Sequence, residues 1–197
     1  GLRMQADMAL RAQDTEEVRR CLQQITRSSV RATHTVNQLL SLARAETTGR
    51  ALPSEPVDLG DLATEVIADS FPLAQDKRID LGYEGPDRIP ESCRLDGNPT
   101  LLQELVRNLV DNALRYSPAG AEVRVAVQRS DGQVQLRVDD SGPGLADADL
   151  VRLGERFFRV LGSGQDGSGL GWSIVRRIAA VHGAEIETAG SVTLGGL

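Results

Sequence analysis

Apolar residues at Leu101, Leu102, Leu105, Val106, Leu109 and Ala113 recur at steps of one, three and four, the spacing of one side of a helix. At about 3.6 residues per turn, Glu104, Asn108 and Asn112 then fall on a separate polar stripe. Asn98 is the expected N-cap, Pro99 suits a first-turn position that needs no amide donor, and Pro118 with Gly120 ends the helix after Tyr116. Beyond it the period changes to two. Val123, Val125 and Val127 alternate, Asp131-Gly132 marks a turn, and Val134, Leu136 and Val138 alternate again, which predicts a β-hairpin. Upstream, Asp58 can cap a helix running to about residue 70, and Lys77 to Tyr83 reads as a short strand. Residues 139–171 are glycine-rich and read as mostly irregular. A helix over Gly171–Val181 and a strand over Ala184–Thr188 complete the pattern. Strands buried on one side, with three helices to cover that side, make an α/β sandwich.

The first part of the chain has another rhythm. Val18, Leu22, Ile25, Ser29, Ala32, Val36, Leu39 and Ala43 alternate steps of four and three, a heptad seam. An earlier helix with Leu2, Ala6 and Ala9 on one side joins it through Gln13-Asp14-Thr15, giving a helical hairpin. Two such helices bury little apolar surface. The hairpin either pairs with a second copy into a four-helix bundle or packs on the rest of its own chain. Residues 47–56, TTGRALPSEP, carry linker signals. The expected organisation is an α+β chain: a hairpin over 1–46, a linker over 47–56 and the sandwich over 57–197.

Composition narrows the functions. Apolar runs are only a few residues long, against roughly 20 needed to span a bilayer, and no signal-peptide pattern opens the chain. A net charge of -6, with arginines scattered instead of clustered, argues against a nucleic-acid surface. Cys21 and Cys93 are isolated and there are two histidines, so neither a disulfide framework nor a zinc site is expected, and a reducing compartment is. Both ends read as cut: Gly1 falls inside a helical pattern, and Gly195-Gly196-Leu197 follows a strand-like SVTL.

Three segments carry candidate chemistry. A lone helical Asn is by default solvated or capping; Asn108 and Asn112 on one stripe, followed by Arg115 and Tyr116, suit a magnesium-bound triphosphate. Asp140-Ser141-Gly142-Pro143-Gly144 ends a buried strand. An ionised carboxylate there accepts hydrogen bonds only and selects an exocyclic amine such as that of adenine, although a plain strand-to-loop turn has the same sequence. Gly167-Ser168-Gly169-Leu170-Gly171 runs into a helix whose free first amides can bind phosphate; the bland alternative is a flexible loop. Gly162, Gly164 and Gly167 also satisfy G-x-G-x-x-G, but no clean strand precedes them. Between these segments, Glu155-Arg156-Phe157-Phe158-Arg159 holds two of the three phenylalanines, either anchors of a mobile segment with Arg159 reaching toward phosphate or simple core contacts.

Taken in order, Asn108–Asn112, Asp140–Gly144, Phe157-Phe158 and Gly167–Gly171 resemble the N, G1, F and G2 boxes of the bacterial sensor histidine kinases. The hairpin, with R-A-T-H-T-V-N-Q-L-L-S-L-A-R in its second helix, resembles that family's dimerisation and phosphotransfer domain. The resemblance implies a helical hairpin forming a dimeric four-helix bundle, followed by an ATP-binding domain of the histidine-kinase and gyrase type. By the same comparison Asn112 holds Mg2+ with Asn108 in support, and Arg115 lies near phosphates with Tyr116 along the nucleotide. Asp140 reads adenine beside Gly142 and Gly144, while Gly167, Ser168, Gly169, Leu170 and Gly171 hold phosphate. ATP is the implied substrate and ADP the product. The implied partners are a second copy of the chain and a response-regulator receiver domain, and the implied place is the cytoplasmic portion of a bacterial inner-membrane sensor, reaching the membrane only through segments upstream of Gly1.

Two departures matter. In the gyrase and heat-shock chaperone relatives the residue matching Asn108 is a glutamate that activates water; a carboxamide cannot take that proton, which favours transfer to a side chain over hydrolysis. Glu104, one turn earlier, either orients a water or is solvated or salt-bridged. The family's phosphoacceptor segment, H-E-L-R-T-P-L-like, is absent from this sequence. His34 and His182 do not replace it: both are expected to be structural, His182 favouring a helix C-terminus and its dipole. Trp172 stands where the family has a small aliphatic residue, with packing its only rationale. A kinase whose acceptor lies outside this sequence and a degenerate ATP-binding dimerisation module both fit.

Overall fold

The computed structural model describes residues 2–11, 14–26, 29, 36, 53–85, 94–130, 132–153, 155, 158, 169–191 and 194–196. They belong to two units, Gly1–Leu40 and Ser41–Leu197. In the first, α1 spans Leu2–Arg11 and α2 runs over 15–26. Asp14 starts α2: its Oδ1 accepts from the Glu16 amide at 3.2 Å and its carbonyl from Val18 at 3.0 Å. Ala6, Ala9, Val18 and Ile25 are half-buried, whereas Met4, Met8, Leu10 and Leu22 are exposed. Among the described residues, no helix is long and apolar enough to cross a membrane.

The second unit is built around α4, Pro99–Tyr116, which begins as the sequence predicts: Asn98 Oδ1 accepts from the Leu101 amide at 3.0 Å, and Pro99 occupies the first turn. Preceding it are β1 (Glu55–Asp58), α3 (Leu59–Lys77), β2 (Asp80–Glu84) and β3 (Arg94–Gly97). Following it are β4 (Glu122–Ser130), β5 (Gln133–Asp140), α5 (Asp147–Arg152) and α6 (Gly171–Val181). The main sheet has the order β2-β4-β5, with β2 parallel to β4 and β4 antiparallel to β5. The hairpin register sets Val125 opposite Val138 and Val127 opposite Leu136, as the alternation requires. A separate antiparallel pair joins β1 to β3, Glu55 opposite Gly97.

Helix α4 is buried on two sides, and this positions the site. Leu102, Val106, Val110, Ala113 and Leu114 join Val66 of α3 and Val123, Val125 and Val127 of β4 in one core. On another side Leu101 meets Leu170, which caps α6, and Ile174 and Ile178 of α6 in a second. Removing Leu114, which is fully buried, to alanine costs about 2 to 5 kcal/mol for a site of this kind.

Several expectations are corrected. The helix capped by Asp58 passes Pro72 and ends at Lys77, because Ala74 is still buried and Arg78 closes it in a left-handed conformation, φ 57°. The strand expected over Lys77–Tyr83 therefore starts at Asp80. Within the stretch read as linker, β1 begins at Glu55. Val110 and Leu114, outside the expected apolar set of α4, are fully buried. Helix α5 breaks the region read as mostly irregular. No strand forms over Ala184–Thr188: residues 183–190 are exposed, and Ile186, the one large aliphatic between Glu185 and Glu187, has no sheet neighbour to cover it.

Candidate functional site

Along α4 the polar stripe turns toward the start of α6. Asn108 is 3% exposed, and its Nδ2 donates to the Glu104 carbonyl at 2.8 Å and to Glu104 Oε1 at 3.1 Å. Glu104 is thus tied to Asn108 instead of standing alone in solvent. One turn on, the Asn112 Nδ2 is buried with no hydrogen-bond partner among the described residues. A buried amide without a partner costs free energy that an incoming ligand can recover.

Gly171 closes this end. A Cβ there would lie 3.2 Å from Asn108 Oδ1, 3.3 Å from Asn112 Nδ2 and 3.4 Å from Asn112 Oδ1. Any larger residue there would need the carboxamides to give by a few tenths of an ångström, so glycine lets the first turn of α6 come near both. Leu170, 1% exposed, anchors that turn in the second core, and its carbonyl accepts from Ser173 Oγ at 2.7 Å and Ile174 N at 3.0 Å. Gly169 precedes it at φ 70°. The free amides of an eleven-residue helix therefore open beside two asparagines.

The other end lies at the close of β5. Asp140 is 9% exposed, and its Oδ1 accepts from the Gly142 amide at 2.8 Å. The ladder holds this residue in place: Asp140 sits opposite Val123, and beyond it Ser141 N donates to the Glu122 carbonyl at 3.0 Å while Ser141 Oγ accepts from Glu122 N at 2.8 Å. Gly142 is pressed between the Asp140 carboxylate and the Tyr116 carbonyl, 2.7 Å and 3.4 Å from where its Cβ would be. The last turn of α4 is thereby joined to the loop after β5. Gly196 packs against the Asp140 carbonyl and carboxylate, and Gly144 faces the Gly196 carbonyl.

Arg115 is half-buried and Tyr116 is 37% exposed in the turn between these ends. That turn has a support the sequence reading missed. Lys77, the single lysine of the chain, donates Nζ to the carbonyls of Leu114 at 2.6 Å and Arg115 at 3.1 Å. Burial, and then the Arg115 guanidinium, lowers the Lys77 pKa below its ordinary value. On the sheet, Arg124 is raised, chiefly by its hydrogen bond to Asp80 with Glu122 and Glu84 adding, and serves an ion network away from the site.

Of the other expected residues, Arg159, Gly167, Ser168, Phe157 and His34 lie outside the described residues. Phe158 is half-buried, with the Arg152 guanidinium 4.3 Å from its ring centroid. Trp172 is half-buried and lines a pocket of about 430 Å³ with Leu150, Leu153, Arg176 and Ile186. His182 ends α6 as expected, but not as a cation on the dipole: its Nε2 accepts from the Asn98 amide, which requires an unprotonated nitrogen.

Residues 97–196 match the family of histidine kinase-, DNA gyrase B-, and HSP90-like ATPases. The chain belongs to that family. Its named relatives include the sensor protein QseC of Escherichia coli K12, 38% identical over 187 residues that cover 94% of this chain and 40% of the relative. The sensor protein kinase PmrB of Pseudomonas aeruginosa is 37% identical over 182 residues, 92% of this chain and 37% of the relative. Within this family the chain thus spans about two fifths of the relatives' length. Among solved structures, the cytoplasmic segment of histidine kinase QseC superposes with a TM-score of 0.57 at 32% identity, covering 84% of this chain and 87% of that one. Full-length ShkA in complex with AMPPNP gives 0.69 at 26% identity, covering 92% and 37%. The family's ATP-binding fold accounts for the second unit, and similarity to sensor histidine kinases extends into the first.

Proposed function

We propose that the chain carries the catalytic domain, and part of the dimerisation hairpin, of a two-component sensor histidine kinase. It uses Mg-ATP to phosphorylate a histidine, and the phosphoryl group then passes to an aspartate of a response-regulator receiver domain. The observation that carries this reading is the convergence of Asn108, Asn112 and the glycine start of α6, with a buried acceptor-only carboxylate, Asp140, at the other end of α4. The AMPPNP-bound state of the related ShkA structure supports ATP as the nucleotide.

Magnesium fits this arrangement through Asn112 Oδ1, a hard oxygen donor, while the buried Nδ2, which makes no hydrogen bond among the described residues, is left to donate to a phosphate oxygen. A bound magnesium neutralises phosphate charge, and it takes most of its ligands from phosphates and water, so one protein amide suffices. The protein's own task is placement: α6 amides and the Gly169–Gly171 turn receive phosphate oxygens, Arg115 lends positive charge, and Asp140 accepts the adenine amine. Hydrolysis is disfavoured because Asn108 accepts no proton and Glu104 Oε1 already receives its amide. Exposed Met4, Met8, Leu10 and Leu22 support pairing of two hairpins into a bundle, and the likeness to the cytoplasmic segment of histidine kinase QseC supports a cytoplasmic position in a sensor protein.

Incubation with labelled ATP and a separate hairpin bearing an acceptor histidine tests the reading. Acid-labile label on that hairpin is expected, and none on this chain alone. Nucleotide binding without any transfer identifies the degenerate module instead.

A further inference from the structure

His182 has a place in the geometry that the catalytic reading does not use. Its Nε2 accepts from the Asn98 backbone amide at 3.1 Å, and its Nδ1 lies 2.8 Å from the Ile178 carbonyl oxygen. A carbonyl only accepts and a backbone amide only donates, so the proton sits on Nδ1 and the ring is neutral. Asn98 is itself the N-cap of α4, its Oδ1 taken by Leu101 N and its Nδ2 by the Pro53 carbonyl at 3.1 Å. Gly97 makes room: a Cβ there would stand 3.1 Å from His182 Cδ2. The imidazole therefore ties the end of α6 to the beginning of α4.

Between the two helices lie Leu101, Leu170, Ile174 and Ile178, contacts without direction that do not by themselves fix the sliding of one helix along the other. Directional bonds do. At about 1.5 Å per residue, His182 is roughly 17 Å along α6 from Gly171, so a tilt of the helix at one end moves the other. We propose that His182 is a positioning residue of the nucleotide site: as a neutral Nδ1–H imidazole it pins α6 to the N-cap of α4 and so keeps Gly171 against Asn108 and Asn112. This inference rests on the nucleotide-site reading above.

The test uses the full chain in three forms: unmodified, His182→Leu and His182→Gln. Side-chain 15N NMR of the unmodified chain is expected to show the Nδ1–H tautomer at His182. His182→Leu strands the Asn98 amide and is expected to weaken Mg-AMPPNP affinity by roughly fivefold or more, since a pocket that is formed only part of the time binds in proportion to that fraction. His182→Gln, whose Oε1 can accept from Asn98 N, is expected to restore most of it. An Nε2–H or doubly protonated ring, His182→Leu with unmodified affinity, or His182→Gln as weak as His182→Leu overturns the inference. If His182→Leu does not fold, the tautomer and the glutamine variant decide. Failure of the unmodified chain to bind Mg-AMPPNP refutes the function reading itself, a separate result from unaltered binding in the leucine variant.

Discussion

Gly171 faces the Asn112 carboxamide so closely that a methyl group on it would stand 3.3 Å from Nδ2 and 3.4 Å from Oδ1, with Asn108 Oδ1 at 3.2 Å. Gly171→Ala forces one of these groups aside, an overpacking cost of about 1 to 3 kcal/mol, while alanine favours the helix by up to about 1 kcal/mol. Nucleotide affinity is expected to fall about tenfold or more, with a smaller change in melting temperature. Calorimetric titration with Mg-ADP checks this, and unchanged affinity refutes the close approach.

Asn108 and Asn112 separate under substitution. Asn112 Nδ2 makes no hydrogen bond among the described residues, so Asn112→Ala is expected to leave stability within about 0.5 kcal/mol while abolishing the difference in nucleotide affinity between magnesium and EDTA. Asn108→Ala breaks a buried bond to Glu104 and is expected to destabilise the fold by about 1 to 3 kcal/mol. Urea unfolding beside nucleotide titration distinguishes the two. Equal loss of stability in both variants contradicts the assignment.

For Asp140, alanine removes the acceptor of the Gly142 amide and of the proposed adenine amine together. ATP affinity is expected to weaken by about 1 to 3 kcal/mol. Competition by an analogue lacking the exocyclic amine checks the specific role. That analogue should bind the unmodified chain weakly and lose little more on Asp140→Ala; an equal further loss removes Asp140 from base reading.

Lys77 offers a pH test. Its folded pKa lies below the ordinary 10.5, so between the two values the unfolded chain holds more protons, and this group's contribution to stability rises with pH through that window. It is lost as pH falls below the folded value. Lys77→Met is therefore expected to flatten the alkaline slope of unfolding free energy just below 10.5, and to lower stability near neutrality by about 1 kcal/mol because two carbonyls lose a donor. An unaltered slope shows that the ammonium is not desolvated by its place under α4.

What the sequence disclosed was whatever is written at short range. The Asn98 cap, the 3.6-residue period of α4 and the valine alternation of the hairpin each lie within a few neighbours, and the Asn108–Asn112 stripe follows from the same period. The two four-residue strands β1 and β3 are too short to announce themselves: EPVD alternates nothing, and RLDG completes only two periods. Their pairing exists only because the chain returns. For the same reason Lys77 and His182 were illegible: their bonds join residues 37 or more and 84 positions apart. The segment over Ala184–Thr188 shows the converse error, in which local alternation predicts a strand and no neighbouring strand is there to receive it.

The parallel ladder of β2 on β4 sets an order of events. Because Asp80 pairs with Glu122, the whole of α4 lies in the crossover between two strands that must meet across it. Such long-range closures are slow steps of assembly, and until this one is made the valines and leucines of α4 have only the β4-β5 hairpin to cover. A nucleotide that engages only the finished arrangement acts then as a folding ligand, adding about 2.7 kcal/mol at a hundredfold excess over its dissociation constant. The proposed nucleotide site thereby draws the nascent domain toward its completed state.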